Sequence, residues 1–196
     1  MRFLRENNSI FTDMILYNGT DTDYDKVDFN KVNLHDDGYL GRGFYLSSDP
    51  EYAKNYGDII KEFIVNPKNP FCFNDIDYNM KRKLMNIILD NYLEKILDDN
   101  TPTFVYYLER LSNDESCTYV AKKIHRGKAT EEDIAYIILK ILSSPNHIFK
   151  GALHDFSKGI TKYLKMNGYD GAYINFEGKE AYEYVAFNEN SLKLLN

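Results

Sequence analysis

Apolar positions along the chain change their period twice, and each change marks a different kind of element. Up to about residue 75 the apolar residues form short runs bounded by turn residues, a pattern that predicts strands. Met14 to Tyr17 is the first, ended by Asn18-Gly19-Thr20. Gly43 to Ser47 is the second. Ile59 to Val65 is the third, stopped by Asn66-Pro67 and followed by a short Phe71-Cys72-Phe73. Between the second and third, Ser48-Asp49-Pro50-Glu51 sets an N-cap candidate before a proline at the first helical position, and Gly57 closes the short helix. From 78 to about 166 the period becomes helical. Leu84, Ile87, Ile88, Ile96 and Leu97 recur at helical spacing. Ile134, Ile137, Ile138, Ile141 and Leu142 form a cleaner stripe. A further helix is predicted from Asp155 to Met166, with Ile160, Tyr163 and Leu164 inward and Gly168 just past its end. Strands then return. Tyr169 to Ile174 leads to a turn at Glu177-Gly178-Lys179. Glu183 to Phe187 is a strong strand, and Asn188-Glu189-Asn190 turns it toward Leu192 to Leu195. Strands, helices, then strands predict an α+β fold. The expected organisation is one domain, 1–196, whose sheet the C-terminal segment completes, with a helical insertion at about 78–166.

Composition narrows the function classes. The 196 residues are 43% hydrophobic, enough for one domain with its own core. No run of 18 apolar residues is present, so no transmembrane helix is expected. Met1 to Asn8 does not read as a signal peptide. Cys72 and Cys117 form no CxxC pair, which argues against a disulfide scaffold and a cysteine zinc site and suits a reducing, cytoplasmic setting. The net charge of -6 disfavours a general binder of phosphate backbones. His35, His125, His147 and His154 sit in unlike contexts, so no metal site is expected. Aromatic residues make up 15% of the chain, with 17 Tyr and no Trp. An AT-rich coding sequence yields the same excess, so only position can single out a tyrosine that binds something.

Three segments hold residue types suited to a ligand. In Leu16-Tyr17-Asn18-Gly19-Thr20 a strand ends on a glycine that allows close backbone approach, or simply turns. In Gly41-Arg42-Gly43-Phe44-Tyr45, followed by Ala53-Lys54-Asn55-Tyr56, a strand-turn-helix return can bring Tyr45 and Tyr56 together as a slot for a flat cationic ring. Both rings filling core is the other reading. In Tyr182-Glu183-Tyr184-Val185-Ala186-Phe187, alternation puts Glu183, Val185 and Phe187 on one face. A carboxylate there either serves a ligand or lies far enough out to be solvated.

Together, in this order and spacing, these segments resemble the ADP-ribosyltransferase superfamily, in its His-Tyr-Glu branch of poly(ADP-ribose) polymerases and diphtheria-toxin-like enzymes. In style they are closest to domains of phage and bacterial polyvalent proteins. Gly168-Tyr169-Asp170-Gly171 and Asn69-Pro70 fit those bacterial and phage members. The resemblance covers roughly 14–73 and 166–195. It implies a split β-sheet core that binds NAD as a substrate and needs no metal. By the resemblance, Tyr45 and Tyr56 sandwich the nicotinamide, and the Gly19 backbone holds its carboxamide. Asn18 and Thr20 flank that glycine, Arg42 reaches the pyrophosphate or lies on the surface, and Glu183 bonds the nicotinamide ribose. A fixed carboxylate stabilises the oxocarbenium-like sugar left when nicotinamide departs.

This chain departs from the family at three positions. Asn18 stands where the family has His. An asparagine amide donates and accepts but cannot become cationic. Ala181 stands where arginine-modifying members carry Gln or Glu, since Glu180 is one residue out of step, so arginine is a disfavoured acceptor. Ala53 replaces a common Ser. The expected function is transfer of a single ADP-ribose from NAD to a macromolecule, a protein in the first instance with nucleic acid left open. It would act in the cytoplasm of the producing cell or of an infected host. A non-catalytic NAD-, nucleotide- or protein-binding module and an NAD glycohydrolase are the alternatives.

Overall fold

The computed structural model describes residues 11, 14–30, 37–110, 114–144, 147–176 and 181–195. The turn expected at Glu177-Gly178-Lys179, together with His35 and Glu180, lies outside them. β-Branched and aromatic runs become the longer strands, such as Ile59–Val65 and Tyr182–Ala186. β1 is Ile15–Thr20, β2 Asp37–Gly38, β3 Gly41–Arg42, β4 Phe44–Ser47, β5 Ile59–Val65, β6 Pro70–Cys72, β7 Gly171–Asn175, β8 Tyr182–Ala186 and β9 Leu192–Leu194. The helices are α1 Pro50–Ala53, α2 Tyr78–Leu97, α3 Pro102–Arg110, α4 Glu115–His125, α5 Glu131–Ser143, α6 His147–Lys150 and α7 Ser157–Met166. The fold is α+β, as the alternation of periods predicts. The described residues divide into two compact units, one within Met1–Asp36, Arg42–Cys72 and Leu164–Asn196 and the other within Asp37–Gly41 and Phe73–Tyr163.

The first unit holds a seven-stranded sheet in the order β6-β7-β8-β4-β1-β5-β9. β6 runs parallel to β7, and the other pairings are antiparallel. One face carries Leu16, Phe44, Leu46, Phe63, Val65, Tyr173, Tyr184 and Ala186, with Phe11 packed edge-on to Tyr173 at 5.0 Å. Burying each large side chain contributes about 1.5–3 kcal/mol. Val185 and Phe187 are buried, and so are Tyr184 and Ala186, so β8 is covered on both faces. The parallel pair depends on Asp170. Its carboxylate accepts from the Lys68 and Asn69 amides at 2.6 and 3.0 Å, and the Asn69 side chain donates to the Gly168 carbonyl at 3.0 Å. Asn69-Pro70 and Gly168-Tyr169-Asp170-Gly171 are thus joined across a hundred residues of sequence. Gly168 ends α7 as predicted, at φ +84°, a left-handed value that favours glycine.

In the second unit, α5 carries the predicted stripe, with Ile134, Ile137, Ile138, Ile141 and Leu142 buried and a capping box between Thr130 and Asp133. α7 begins at Ser157 rather than Asp155, because residues Gly151–Phe156 wind as a tighter 3₁₀ turn. Lys150 is fully buried, and its Nζ donates to the Ile141 and Leu142 carbonyls at 3.0 and 2.9 Å. Both carbonyls lie in the last turn of α5, where the Ile141 carbonyl also accepts from the Ser144 cap amide at 3.2 Å. Burial, with Lys81 nearby, pulls the Lys150 ammonium down to about 7. No described helix is long and apolar enough to cross a membrane.

His125 clamps three helices. Its Nδ1 lies 2.7 Å from Asp99, just past α2, and its Nε2 lies 3.1 Å from Glu109 on α3. Both ring nitrogens face carboxylates, so both bonds form only with the imidazolium. The hydrogen bond to Asp99, then that to Glu109, raises its pKa. A raised folded pKa gives stability that is complete below the unfolded value, about 6.5, and is lost as pH rises through the folded value. The melting temperature should therefore fall across that window, and His125→Gln should remove this component of the slope. Identical profiles for both proteins would refute the clamp.

Candidate active site

β1, β4 and β8, which carry the three sequence segments, are neighbours in the sheet. Tyr17 pairs with Ser47, Tyr45 with Val185, and Ser47 with Glu183. Directly opposed residues share a face, and alternate residues along a strand do too. Tyr17, Gly19, Tyr45, Ser47, Glu183 and Val185 therefore share the face opposite the Leu16–Phe44–Tyr184 cluster.

α1 and the 3₁₀ turn Lys54–Tyr56 pack over that face. A Cβ on Gly19 would overlap the Ala53 carbonyl, and one on Gly57 would overlap the Thr20 backbone. Both glycines are fixed by this close approach of backbones. The entry to α1 is equally determined. Asp49 caps it by accepting from the Glu51 and Tyr52 amides, and Pro50 supplies a preset φ. The Ser48 hydroxyl accepts from the Tyr182 amide at 2.8 Å, and the Ser48 amide donates to the Tyr182 carbonyl at 2.9 Å. Glu183 thus starts its strand beside the turn from β4 into α1.

Glu183 is 3% exposed, which removes the solvated reading. Its neighbours in register are Ser47 on β4 and Ile174 on β7. Tyr45 is half-buried, whereas Tyr56 is 58% exposed. The Tyr56 ring meets Tyr52 at 5.8 Å with the hydroxyls 3.2 Å apart, and Tyr52 meets Phe176 at 5.6 Å. Tyr52 and Phe176 escaped sequence reasoning. The four-residue helical spacing from Tyr52 to Tyr56 was the available signal for the first. Nothing local marked the second.

Asn18 and Thr20 take the opposite face. Asn-Gly-Thr is the end of β1 itself rather than a turn after it, because β5 pairs with it through Thr20 opposite Ile59. The Thr20 hydroxyl donates to the Thr22 carbonyl and accepts from the Thr22 amide, both at 3.1 Å. Asn18 Nδ2 donates to the Tyr45 carbonyl at 3.0 Å, and Asn18 Oδ1 accepts from the Tyr24 hydroxyl at 2.8 Å. Arg42 is half-buried on β3, just before Gly43, where a Cβ would overlap the Ala186 carbonyl of β8. Cys117 lies elsewhere, buried on α4, and burial pushes its thiol up to about 11, so it is no nucleophile near neutral pH.

Compared with protein-family models, curated proteins and solved structures, the chain matches none.

Proposed function

We propose that the chain is an NAD-dependent ADP-ribosyltransferase that modifies a macromolecule and releases nicotinamide, built on an ADP-ribosyltransferase-like split sheet with an inserted helical block. The observation that carries this reading is the shared face: Tyr45 and Glu183 project from adjacent strands on the side where Ala53 of α1 and Gly57 close against Gly19. β1 and β4 are paired at one position, Tyr17 opposite Ser47, which suits a sheet that opens between them.

Tyr45 and Tyr56 would flank the cationic nicotinamide ring, whose attraction to aromatic faces is lost when it leaves as a neutral base. The bond from ribose C1′ to the nicotinamide nitrogen breaks, and its electron pair departs with nicotinamide. Positive charge develops on the ribose, and the Glu183 carboxylate, already desolvated, stabilises it most in the transition state. The acceptor then bonds to C1′ and gives up a proton. Arg42 would counter the pyrophosphate charge. The partners are NAD and a macromolecular acceptor, with protein first and nucleic acid second.

Labelled NAD incubated with the protein and a cell lysate tests this. Label on a discrete macromolecule, absent with Glu183→Gln, is the expected result. Free ADP-ribose alone would replace the reading by NAD hydrolysis. NAD binding without turnover would replace it by a binding module, the alternative that the engaged Asn18 amide favours. No binding at all would end it.

A further inference from the structure

Next to the pair Tyr17 and Ser47, a side chain of β1 meets the Tyr45 carbonyl, which accepts from Asn18 Nδ2. A carboxamide has no intrinsic preference for which end it presents. Turned over, Asn18 would set its oxygen against the Tyr45 oxygen, two acceptors facing each other. The Tyr45 carbonyl, which only accepts, therefore turns the nitrogen toward itself, and the Tyr24 hydroxyl donates to the Asn18 Oδ1 at the other end, so the carboxamide is held at both ends. The Tyr24 ring is itself held, edge-on to Phe44 at 6.4 Å and under the Lys61 ammonium at 5.5 Å. Lys61 in turn pairs with Asp23 at 2.5 Å, and its side chain is only 12% exposed. A chain of contacts thus runs Asp23, Lys61, Tyr24, Asn18, Tyr45 carbonyl. It lies on one face of the sheet and ends at the backbone of the residue whose ring projects from the other.

We propose that Tyr24 is a positioning residue: by fixing the Asn18 carboxamide it sets the β1–β4 spacing and hence the placement of the Tyr45 ring. The proposal rests on the nicotinamide reading of that ring. A one-residue displacement of β4 would reverse its faces, whereas a loosened strut leaves register intact and only blurs the slot. The consequence falls on substrate binding, because Glu183 stands on β8 and keeps its register opposite Ser47.

Tyr24→Phe deletes one hydroxyl and keeps the ring. Asn18→Asp keeps the shape and turns the donor into an acceptor. KM and kcat for nicotinamide release and the Kd for NAD are measured for both variants, with Tyr119→Phe on α4 as control, and the Asn18 side-chain amide resonances are measured for Tyr24→Phe. The expected result is a KM and Kd raised about 3- to 10-fold in Tyr24→Phe and by more than about 10-fold in Asn18→Asp, with kcat held and the control unchanged. The Asn18 amide signal should shift in Tyr24→Phe. A merely structural role would lower the folded fraction, so kcat would fall with KM constant, and that outcome overturns the proposal. A shifted amide signal with unchanged KM and Kd also overturns it, while leaving the nicotinamide reading intact. Absence of NAD binding by the unsubstituted chain overturns both, and is distinguished by occurring without any substitution.

Discussion

Gly19→Ala should lower the melting temperature by about 5–10 °C. The added Cβ would overlap the Ala53 carbonyl oxygen, which belongs to backbone and cannot rotate away. Overpacking of this kind costs about 1–3 kcal/mol, and each kcal/mol shifts the melting temperature by about 2–4 °C in a chain of this size. Relief requires α1 to lift from β1. That would carry Tyr52 and Tyr56 with it, since both lie within the same turn and a half of chain. NAD affinity should therefore fall together with stability. If Gly19 served only to let a ligand approach the backbone, the variant would keep its melting temperature and lose NAD alone. An unchanged melting temperature would reject the packing account.

The same glycine shows how far the sequence could be read. Ile59–Val65 was legible because seven consecutive residues suit a strand and Asn66-Pro67 stops it. Asn18-Gly19-Thr20 was misleading, because turn-forming residues here lie within a strand. Their conformation is set by pairing with Lys61, Ile60 and Ile59, forty residues away, and by the Ala53 carbonyl. α3 and α4 lay unresolved within the helical block because their boundaries are local capping events: Asp99 at φ +55° ends the polar stretch after α2, and Asp114 caps α4. For the candidate site, alternation put Glu183 with Val185, and both lie on the same face of β8. Whether the carboxylate is buried depended on which strands flank it, and no local pattern states that. The Tyr24–Asn18 contact was invisible for a similar reason. Its partners are six residues apart, but they meet because Phe44 and Lys61, from β4 and β5, hold the Tyr24 ring.

Glu183→Gln should lower the rate of nicotinamide release by about 100- to 1,000-fold, the effect of removing one preorganised group that stabilises transition-state charge, about 2.7–4 kcal/mol. The substitution retains volume, removes the charge and turns one acceptor oxygen into an amide donor. The ground-state contacts proposed between NAD and Tyr45, Tyr56 and Gly19 would remain, so the Kd for NAD should change less than tenfold. Loss in kcat with little change in affinity is the signature of an interaction made chiefly in the transition state. Stability separates this from a structural role. Glu183 is 3% exposed, and Gln fills the same volume and keeps one of its two acceptor oxygens. Its neutral isostere should therefore melt within about 4 °C of the unsubstituted chain, a change of about 1–2 kcal/mol at most. A fall of more than 10 °C, with the rate loss matching the unfolded fraction, would make Glu183 a structural carboxylate. A rate within threefold of the original would remove it from the chemistry and leave Tyr45 and Tyr56 as a binding slot without a catalytic group.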